Sequence, residues 1–293
     1  MKKIFKFFFI LLVFYYIYYI IRYNFVWKDS FIDTLELWLY KVVVGIIPMY
    51  VLSSLLLSLN FVNNFLFNLL SKFRLFENKK SLCLFFISFL CGTPTTSLIV
   101  SKAYLNSEIS LKQARNIICS CSFVSFLFIA IMLNNKLFFI ISLSQIISSL
   151  IIYFKLSYKI ELYNNNNLTD ISIFDTINSI IEDLPMILLK ILVSMLLVSI
   201  IIIPFKRYDF LFYYFEVTFG LNKILNFDYN EYINIILISS LLSFNGIAII
   251  LQVYNILKKT RLIFKHYIIC RIIHTIISVL ISLVLLFIVN FFF

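Results

Sequence analysis

The sequence predicts an all-α integral membrane protein, a polytopic helical bundle of about eight or nine spans. Three observations lead to this fold class. Of the 293 residues, 62% are hydrophobic and only 13% are charged. The mean hydropathy is +1.00, and apolar runs of about 18 or more residues recur, each long enough to cross a hydrocarbon core. These runs do not alternate apolar with polar residues, as the strands of a membrane barrel would.

The apolar runs place the spans along the chain. The run at 210–224 is short and carries Glu216 and Gly220, so a re-entrant arm is the alternative to a full span there. The same alternative applies to the pair 81–103 and 117–133, which encloses a modest loop. In chain order, we expect spans at about 4–21, 37–59, 81–103, 117–133, 137–154, 186–205, 210–224, 232–256 and 267–290.

The distribution of charge predicts the orientation. The net charge is +11, and the basic residues lie in short loops between apolar runs. Loops on the cytoplasmic side carry an excess of Lys and Arg. With about nine spans and an inner N-terminus, Lys80, Lys136 and Lys258 all fall on the inner side. The basic excess is therefore a membrane-orientation signal, and no nucleic-acid partner is expected.

The chain divides into three predicted parts. Residues 1–34 form an N-terminal membrane anchor, because the first apolar run ends without the small-residue cleavage site of a signal peptide. Residues 35–160 and 161–293 form two halves, and the polar connection at 155–170 separates them. The sequence predicts the lipid bilayer as a partner, and further copies of the same chain are an open alternative.

Two segments are amphipathic and too short or too polar to span a membrane. They are 61–71 (FVNNFLFNLLS) and 171–184 (ISIFDTINSIIEDL). We expect both to lie in the plane of the membrane interface.

The two halves show a weak internal repeat. Gly92 in the first half and Gly246 in the second are each followed by a helix, a polar loop and another helix. Each half also opens with a proline-bearing run, at Pro48 and at Pro185. Paired, interrupted apolar segments in matching halves are the best sequence pointer to the binding site of a transporter. The alternative is that the match arose by chance.

The first candidate site is an interrupted helix. Pro94 has no N–H group, so the helix at 81–103 should break there. Hydrocarbon cannot satisfy the freed backbone groups, so the break must face protein or a wet cavity. The following half-helix would direct its N-terminus and nearby hydroxyls at a ligand, which suits an anion. The alternative is a kink whose hydroxyls bond back to the helix. The candidate residues are Gly92, Thr93, Pro94, Thr95, Thr96 and Ser97.

The second candidate site lies in the second half. An ionisable group at mid-membrane costs about 2.5–3.5 kcal/mol on insertion scales, so such groups usually face a partner or a cavity. Glu216 is the strongest single candidate, whereas Arg271 is close enough to a helix end that snorkelling is its alternative. The candidate residues are Glu216, Gly220, Asn245, Gly246, Gln252 and Arg271.

The sequence gives no sign of an enzyme or of a bound cofactor. It has no phosphate-binding loop, no H-E-x-x-H run and no G-x-S-x-G run. The five cysteines lie in or beside apolar runs and lack the spacing of a metal site. We therefore expect neither catalytic residues, nor a cofactor, nor a metal.

The first break carries a family resemblance. The stretch from Cys91 to Ile129, CGTPTTSLIVSKAYLNSEISLKQARNIICSCSFVSFLFI, resembles the signature of the YlbJ-like sporulation integral membrane proteins. These proteins belong to the nucleoside-recognition Gate domain group, which also includes segments of nucleoside transporters. The family carries a Gly-x-Pro-x-Gly-Ala-Lys run here. This chain departs from it, with Thr96 and Leu98 in place of the second glycine and the lysine.

The second half resembles the same family. Glu216 and Gly220 match its Glu-x-x-x-Gly element. Gly246, Gln252 and Arg271 follow the order of its Gly, Gln-Val and Arg pattern. The resemblance covers about residues 35–285.

The resemblance implies a sporulation-associated transporter of a small anion. The family is associated with moving dipicolinic acid, a planar dianion, across the outer forespore membrane of a bacterium. Two alternatives are a nucleoside-type substrate and a membrane assembly factor that transports nothing. In the latter case, the small residues at the breaks would be helix-packing contacts.

Overall fold

The structure is a computed structural model that describes residues 2–59, 65, 79–157, 172–205, 213–227 and 229–292. No strand occurs among these residues, which confirms the all-α prediction for this part of the chain. The α-helices are α1 (Lys2–Arg22), α2 (Asn24–Leu37), α3 (Val44–Ser58), α4 (Lys79–Cys91), α5 (Thr95–Leu105), α6 (Leu111–Cys121), α7 (Phe126–Met132), α8 (Asn135–Ser157), α9 (Ile173–Ile202), α10 (Val217–Asn226), α11 (Glu231–Phe244), α12 (Gly246–Leu257) and α13 (Phe264–Phe292).

Seven helical stretches of the described chain are long and apolar enough to cross a membrane. The chain is thus a multi-pass membrane protein. A π-helical turn at Trp38–Val43 makes α2 and α3 one stretch, while α6 with α7, and α11 with α12, each form a stretch with a break inside. The stretches are Phe5–Arg22, Asn24–Ser58, Leu111–Met132, Asn135–Leu156, Ile173–Ile202, Glu231–Leu257 and Phe264–Phe292.

The predicted span at 81–103 is a pair of short helices instead. Helix α4 has 13 residues and α5 has 11, so at 1.5 Å per residue neither reaches across a hydrocarbon core of about 30 Å. Lys80 at the start of α4 forms an ion pair of 3.1 Å with Glu108, which follows α5. The two helices therefore enter and leave at the same end of the bundle, as a re-entrant hairpin.

One end of the bundle is rich in basic residues. It holds the start of α4, the end of α5 and the start of α6, where Arg115 lies in a groove shared with His266 at the start of α13. Lys258 and Lys265 flank this turn between α12 and α13. We call it the basic end.

The opposite end is marked by a second polar cluster. Lys136 at the start of α8 donates to the side-chain oxygen of Asn290 at 3.0 Å, and Asn290 donates to Glu231 at 3.1 Å. Asn290 is near the end of the 29-residue helix α13, about 40 Å from the basic end at 1.5 Å per residue. Lys136 and Lys80 thus lie at opposite ends, so the prediction that placed both on the inner side is wrong. The re-entrant hairpin is the reason, since it removes one crossing before α6 and so moves the loop with Lys136 to the other side. The turn with Lys258 lies at the same end as Lys80, as predicted.

The structure describes most of two further predicted segments and little of two others. Residues 173–184 are the first part of the continuous helix α9, with Pro185 inside it, rather than a separate interfacial helix. Within the predicted arm 210–224, helix α10 begins at Val217, and residues 210–212 lie outside the described residues. The segment 61–71, except for residue 65, and most of the connection 155–170 lie outside the described residues.

Aromatic side chains fasten the re-entrant hairpin to the broken helix beside it. The rings of Phe85 and Phe89 on α4 are 5.0 Å apart, and Phe89 lies 5.6 Å from Phe123, between α6 and α7. Phe123 in turn lies 5.5 Å from Phe126 at the start of α7. Such ring pairs add about 0.5–1.5 kcal/mol each beyond the burial of their area. They hold the two breaks side by side.

Helix α1 lies on the outside of the bundle. None of the window Phe5–Arg22 is buried. Its described polar link to the bundle is the hydroxyl of Tyr16, which donates to the backbone oxygen of Ile201 at 2.8 Å. An apolar helix with all faces open is a lipid-facing helix in a membrane protein.

Candidate functional site

The first break is built around Gly92. Its φ is +65°, and a Cβ atom there would lie 2.2 Å from the backbone nitrogen of Ser125, so only glycine fits. The next residue, Thr93, donates its backbone N–H and its hydroxyl to the same oxygen of Phe123, at 2.8 and 2.9 Å. The break predicted at Pro94 is confirmed, and its backbone is satisfied by protein as the membrane requires.

The hydroxyls that follow Pro94 mostly bond back to their own chain. The Thr95 hydroxyl donates to the backbone oxygen of Cys91 at 2.9 Å, and the Thr96 hydroxyl donates to that of Ser88 at 3.2 Å. The hydroxyl of Ser97 is buried, and no hydrogen bond to it is found among the described residues. For Thr95 and Thr96 this is the arrangement expected of a kink rather than of a ligand shell.

A second break, between α6 and α7, was not predicted. Residues 122–125 interrupt the run expected to span at 117–133, and they contain neither glycine nor proline. Ser125 starts α7 by accepting a hydrogen bond from the backbone N–H of Phe128 at 3.3 Å. The sequence signal was the run Cys-Ser-Phe-Val-Ser, whose hydroxyls suit a helix cap but are also common inside membrane helices.

The third break separates α11 from α12. Asn245 and Gly246 both have left-handed backbones, with φ of +76° and +64°. The Asn245 side chain donates to the backbone oxygen of Ser122 at 2.6 Å, so this break contacts the second one. The first N–H groups of α12 donate to Tyr214 and Phe215, at 2.8 and 2.9 Å.

Glu216 begins the short helix α10. One carboxylate oxygen accepts the backbone N–H of Phe219 at 2.8 Å, and the other accepts the hydroxyl of Thr218 at 3.1 Å. The side chain is 3% exposed. A carboxylate at a helix N-terminus is stabilised by the dipole and by the free N–H groups there.

Gly220 has a packing role that its sequence pattern did not reveal. A Cβ atom at this position would lie 2.4 Å from the backbone oxygen of Tyr213. The glycine lets α10 approach the segment that precedes it, and this contact helps to fix Glu216 one turn earlier.

The breaks enclose a cavity of about 40 Å³. Of the predicted site residues, Thr93, Pro94, Glu216 and Gln252 line it. Gly92, Thr95, Thr96, Ser97, Gly220, Asn245, Gly246 and Arg271 do not. The sequence reasoning missed twelve lining residues: Val42, Ile46, Cys91, Val124, Ser125, Phe128, Ile191, Met195, Val217, Thr218, Ala248 and Ile249.

Four half-helices begin beside this cavity. Helices α5, α7, α10 and α12 start at Thr95, Phe126, Val217 and Gly246, and each contributes a cavity-lining residue in its first turn or just before it. A helix N-terminus carries roughly half a positive elementary charge. The cavity therefore lies beside four helix N-termini, and Glu216 is the carboxylate among its lining residues. First-turn N–H groups of α7, α10 and α12 also donate to Ser125, to Glu216 and to backbone oxygens.

The amide of Gln252 faces the same cavity. Its nitrogen donates to the hydroxyl of Ser194 on α9, and its oxygen is buried without a partner among the described residues. A buried, unpaired amide oxygen costs about 1–3 kcal/mol. This oxygen is ready to accept a hydrogen bond from a solute or from water in the cavity.

Arg271 lies away from the cavity and has a different task. It is fully buried on α13, and its guanidinium donates to the backbone oxygens of Cys119 and Ser122 at the end of α6. It also reaches the oxygen of Ser243, at the end of α11, at 3.5 Å. No acidic side chain pairs with it in the described part of the chain. The cation is neutralised instead by the negative ends of two helices.

No group of three His, Cys, Asp or Glu residues that could hold a metal ion occurs among the described residues. We compared the chain with known proteins in three ways. No family model, curated protein or solved structure matches it.

Proposed function

We propose that this chain is a membrane transporter for a small, oxygen-rich anion, and that the cavity is its binding site. The observation that supports this is the convergence of four half-helix N-termini on one cavity at the centre of a membrane bundle. Broken helices with N-termini directed at the substrate are a recurring way to bind anionic groups at the membrane midplane.

We further propose that the two halves are an inverted repeat. Helices α6 and α7 run from the basic end to the opposite end, and α11 and α12 run the reverse way. Helix α5 runs from the cavity to the basic end, whereas α10 runs from the cavity toward the opposite end. In this scheme Gly246 corresponds to the break at 122–125, and not to Gly92.

The cavity volume indicates a closed state in this proposal. Ligand sites for small molecules usually measure about 300–1,000 Å³, whereas this cavity measures about 40 Å³. Its walls come from both halves, with Thr93 on one side and Glu216 on the other. Rocking of one half against the other would widen it toward one membrane face at a time.

Dipicolinate is the first candidate solute, because the family resemblance names it. Its two carboxylates suit the helix N-termini, but Glu216 is a competing negative charge in the same cavity. Like charges at short range in a desolvated site repel strongly. Binding of the dianion therefore requires a proton on Glu216, which makes that carboxyl the proton-coupling group.

A nucleoside is the second candidate solute, and one observation favours it. No Lys or Arg lines the described cavity. The polar groups there are a carboxylate, an amide with a free oxygen, and hydroxyls, a set that matches the hydroxyls and amides of a neutral solute. The excess of Lys and Arg at the basic end makes that end cytoplasmic in either case.

Uptake by the purified protein in proteoliposomes tests the proposal. We expect radiolabelled dipicolinate to enter these proteoliposomes faster than it enters protein-free vesicles. Unlabelled dipicolinate should compete with this uptake, and uridine should not. If uridine competed and unlabelled dipicolinate did not, a nucleoside would become the proposed solute. If a folded protein moved neither solute, the chain would be an assembly factor instead.

Protection of a single thiol locates the site. In a variant that retains only Cys91, which lines the cavity, a polar thiol reagent should react as the cavity opens. Saturating the protein with substrate at about ten times Kd should slow this reaction roughly tenfold. A variant that retains only the buried Cys83, which is not a cavity residue, should show no protection. Equal rates for Cys91 with and without the solute would place the binding site elsewhere.

A further inference from the structure

A basic groove lies at the basic end, where α6 begins and α12 turns into α13. Its volume is about 240 Å³. Lys112 and Arg115 on the first turns of α6 form one wall, and Arg261 and His266 form the other. The remaining lining residues are Leu111, Leu262 and Ile263.

The charge of the groove is of one sign. The residues that line it include three Lys or Arg side chains and no Asp or Glu. The ion pairs in the described part of the chain do not involve Arg115 or Arg261. The imidazole of His266 also has a buried ring nitrogen, Nδ1, with no partner among these residues. These groups line one groove, which is large enough to hold an anion.

Apolar side chains form the rim of the groove. Leu111 is 42% exposed and Ile263 is 58% exposed. Leu111 begins α6, and Ile263 directly precedes Phe264, where the membrane-spanning helix α13 begins. The groove therefore lies at the level where lipid headgroups meet acyl chains, with cations inside and apolar contacts at its edge.

We propose that this groove binds the phosphate of an anionic phospholipid. The guanidinium groups of the two arginines can each donate two parallel N–H hydrogen bonds to a phosphate, which a lysine ammonium cannot do. The exposed Leu111 and Ile263 would contact the acyl chains, which a free phosphate lacks. Basic pockets between membrane helices on the cytoplasmic side are suited to such headgroups.

The bound lipid would act on the centre of the bundle through two helices. Its phosphate would contact side chains at the start of α6 and at the start of α13. The same two helices meet again where Arg271 of α13 binds Cys119 and Ser122 of α6. A lipid at this position stabilises the pair whose contact fixes two of the helix breaks, and this holds whether or not the chain is a transporter.

The test compares two charge-matched double variants. In Arg115→Gln with Arg261→Gln, the groove loses both guanidinium groups. In Lys258→Gln with Lys259→Gln, the same turn loses the same charge at two exposed side chains outside the groove. Retention of phosphatidylglycerol against phosphatidylcholine is measured by native mass spectrometry of the protein released from mixed-lipid nanodiscs.

We expect the arginine variant to retain phosphatidylglycerol at least about tenfold less well, because it loses the paired, charge-assisted N–H contacts to the phosphate. The lysine variant should retain it nearly as well as the wild type. A third variant, Arg115→Lys with Arg261→Lys, keeps the charge and should lose part of the retention, because it lacks the paired N–H groups.

Two results would overturn the proposal. Equal loss in the arginine and lysine variants would show general attraction to a charged surface rather than a site. Thermal stabilisation of the wild type by inorganic phosphate alone, absent in the arginine variant and not increased by phosphatidylglycerol, would make this a site for free phosphate. Should the arginine variant not fold, the Arg→Lys variant supplies the same comparison.

Discussion

The helix ends at the centre of this bundle fall into two groups that are handled differently. The C-terminal ends of α6 and α11 meet at one buried cation, Arg271, which donates to their last carbonyls. The N-terminal ends of α5, α7, α10 and α12 surround a cavity with Glu216 among them. The first group ends on a buried cation, and the second lies beside a cavity. We call them the closed ends and the open ends.

This difference separates a structural charge from a functional one. Both terminal nitrogens of the Arg271 guanidinium donate to backbone oxygens, and its Nε has no partner among the described residues. Glu216 accepts hydrogen bonds from the start of its own helix and lines the same cavity as Gln252, whose amide oxygen has no partner among the described residues. Substitutions at the closed ends should therefore change stability, and those at the open ends should change ligand-dependent properties.

The largest expected effect is at Arg271. In Arg271→Leu, the backbone oxygens of Cys119 and Ser122 lose their cationic partner. Orphaned buried carbonyls cost about 1–3 kcal/mol each, so we expect a loss of roughly 3 kcal/mol or more. Thermal unfolding in detergent, followed by size-exclusion chromatography, measures this. An unchanged unfolding temperature would show that the two C-terminal ends do not depend on this cation.

Gly92→Ala should have the next largest effect. The added Cβ would lie 2.2 Å from Ser125 in a left-handed backbone, and strain and overpacking together should cost roughly 2–4 kcal/mol. The matched control is Gly45→Ala in α3, whose Cβ would lie 3.4 Å from Phe128 in an ordinary helical backbone. That change should be neutral or stabilise by up to about 1 kcal/mol. Similar unfolding temperatures for the two variants would contradict the close contact of the first two breaks.

Glu216→Gln should leave the fold intact and remove coupling to protons. An amide oxygen can still accept the N–H of Phe219, so the start of α10 is kept. If Glu216 carries one proton with each solute, wild-type vesicles accumulate dipicolinate about tenfold for each unit of inward pH gradient. The variant should show no accumulation that depends on the gradient.

Glu108→Gln is the control for that experiment. It makes the same chemical change at the basic end, where Glu108 pairs with Lys80. Its accumulation should follow the pH gradient as the wild type does. Gradient-dependent accumulation in Glu216→Gln as well would remove Glu216 from the coupling mechanism.

The limits of the sequence reasoning follow from where its signals lie. Helical membrane segments and the break at Pro94 were predictable, because apolar length and a missing N–H are local properties. The break at 122–125 was not, because it is held by Thr93 and Asn245, which lie far away in the chain. Nor could the sequence distinguish the roles of Arg271 and Glu216, since each is a single charge in an apolar run. Only the structure shows that Arg271 contacts helix C-termini and that Glu216 lies among helix N-termini.

The smallest expected effect separates two neighbouring threonines at the open ends. The Thr95 hydroxyl bonds back to Cys91 in its own chain segment, so Thr95→Val should cost about 1 kcal/mol and leave solute uptake within about twofold of wild type. The Thr93 hydroxyl lines the cavity and crosses to Phe123 of the second break. Thr93→Val should therefore lower uptake by about tenfold through the lost hydrogen bond. The reverse order in the uptake assay would mean that the solute contacts the face of α5 that bears Thr95, and that the cavity described here is only a packing gap.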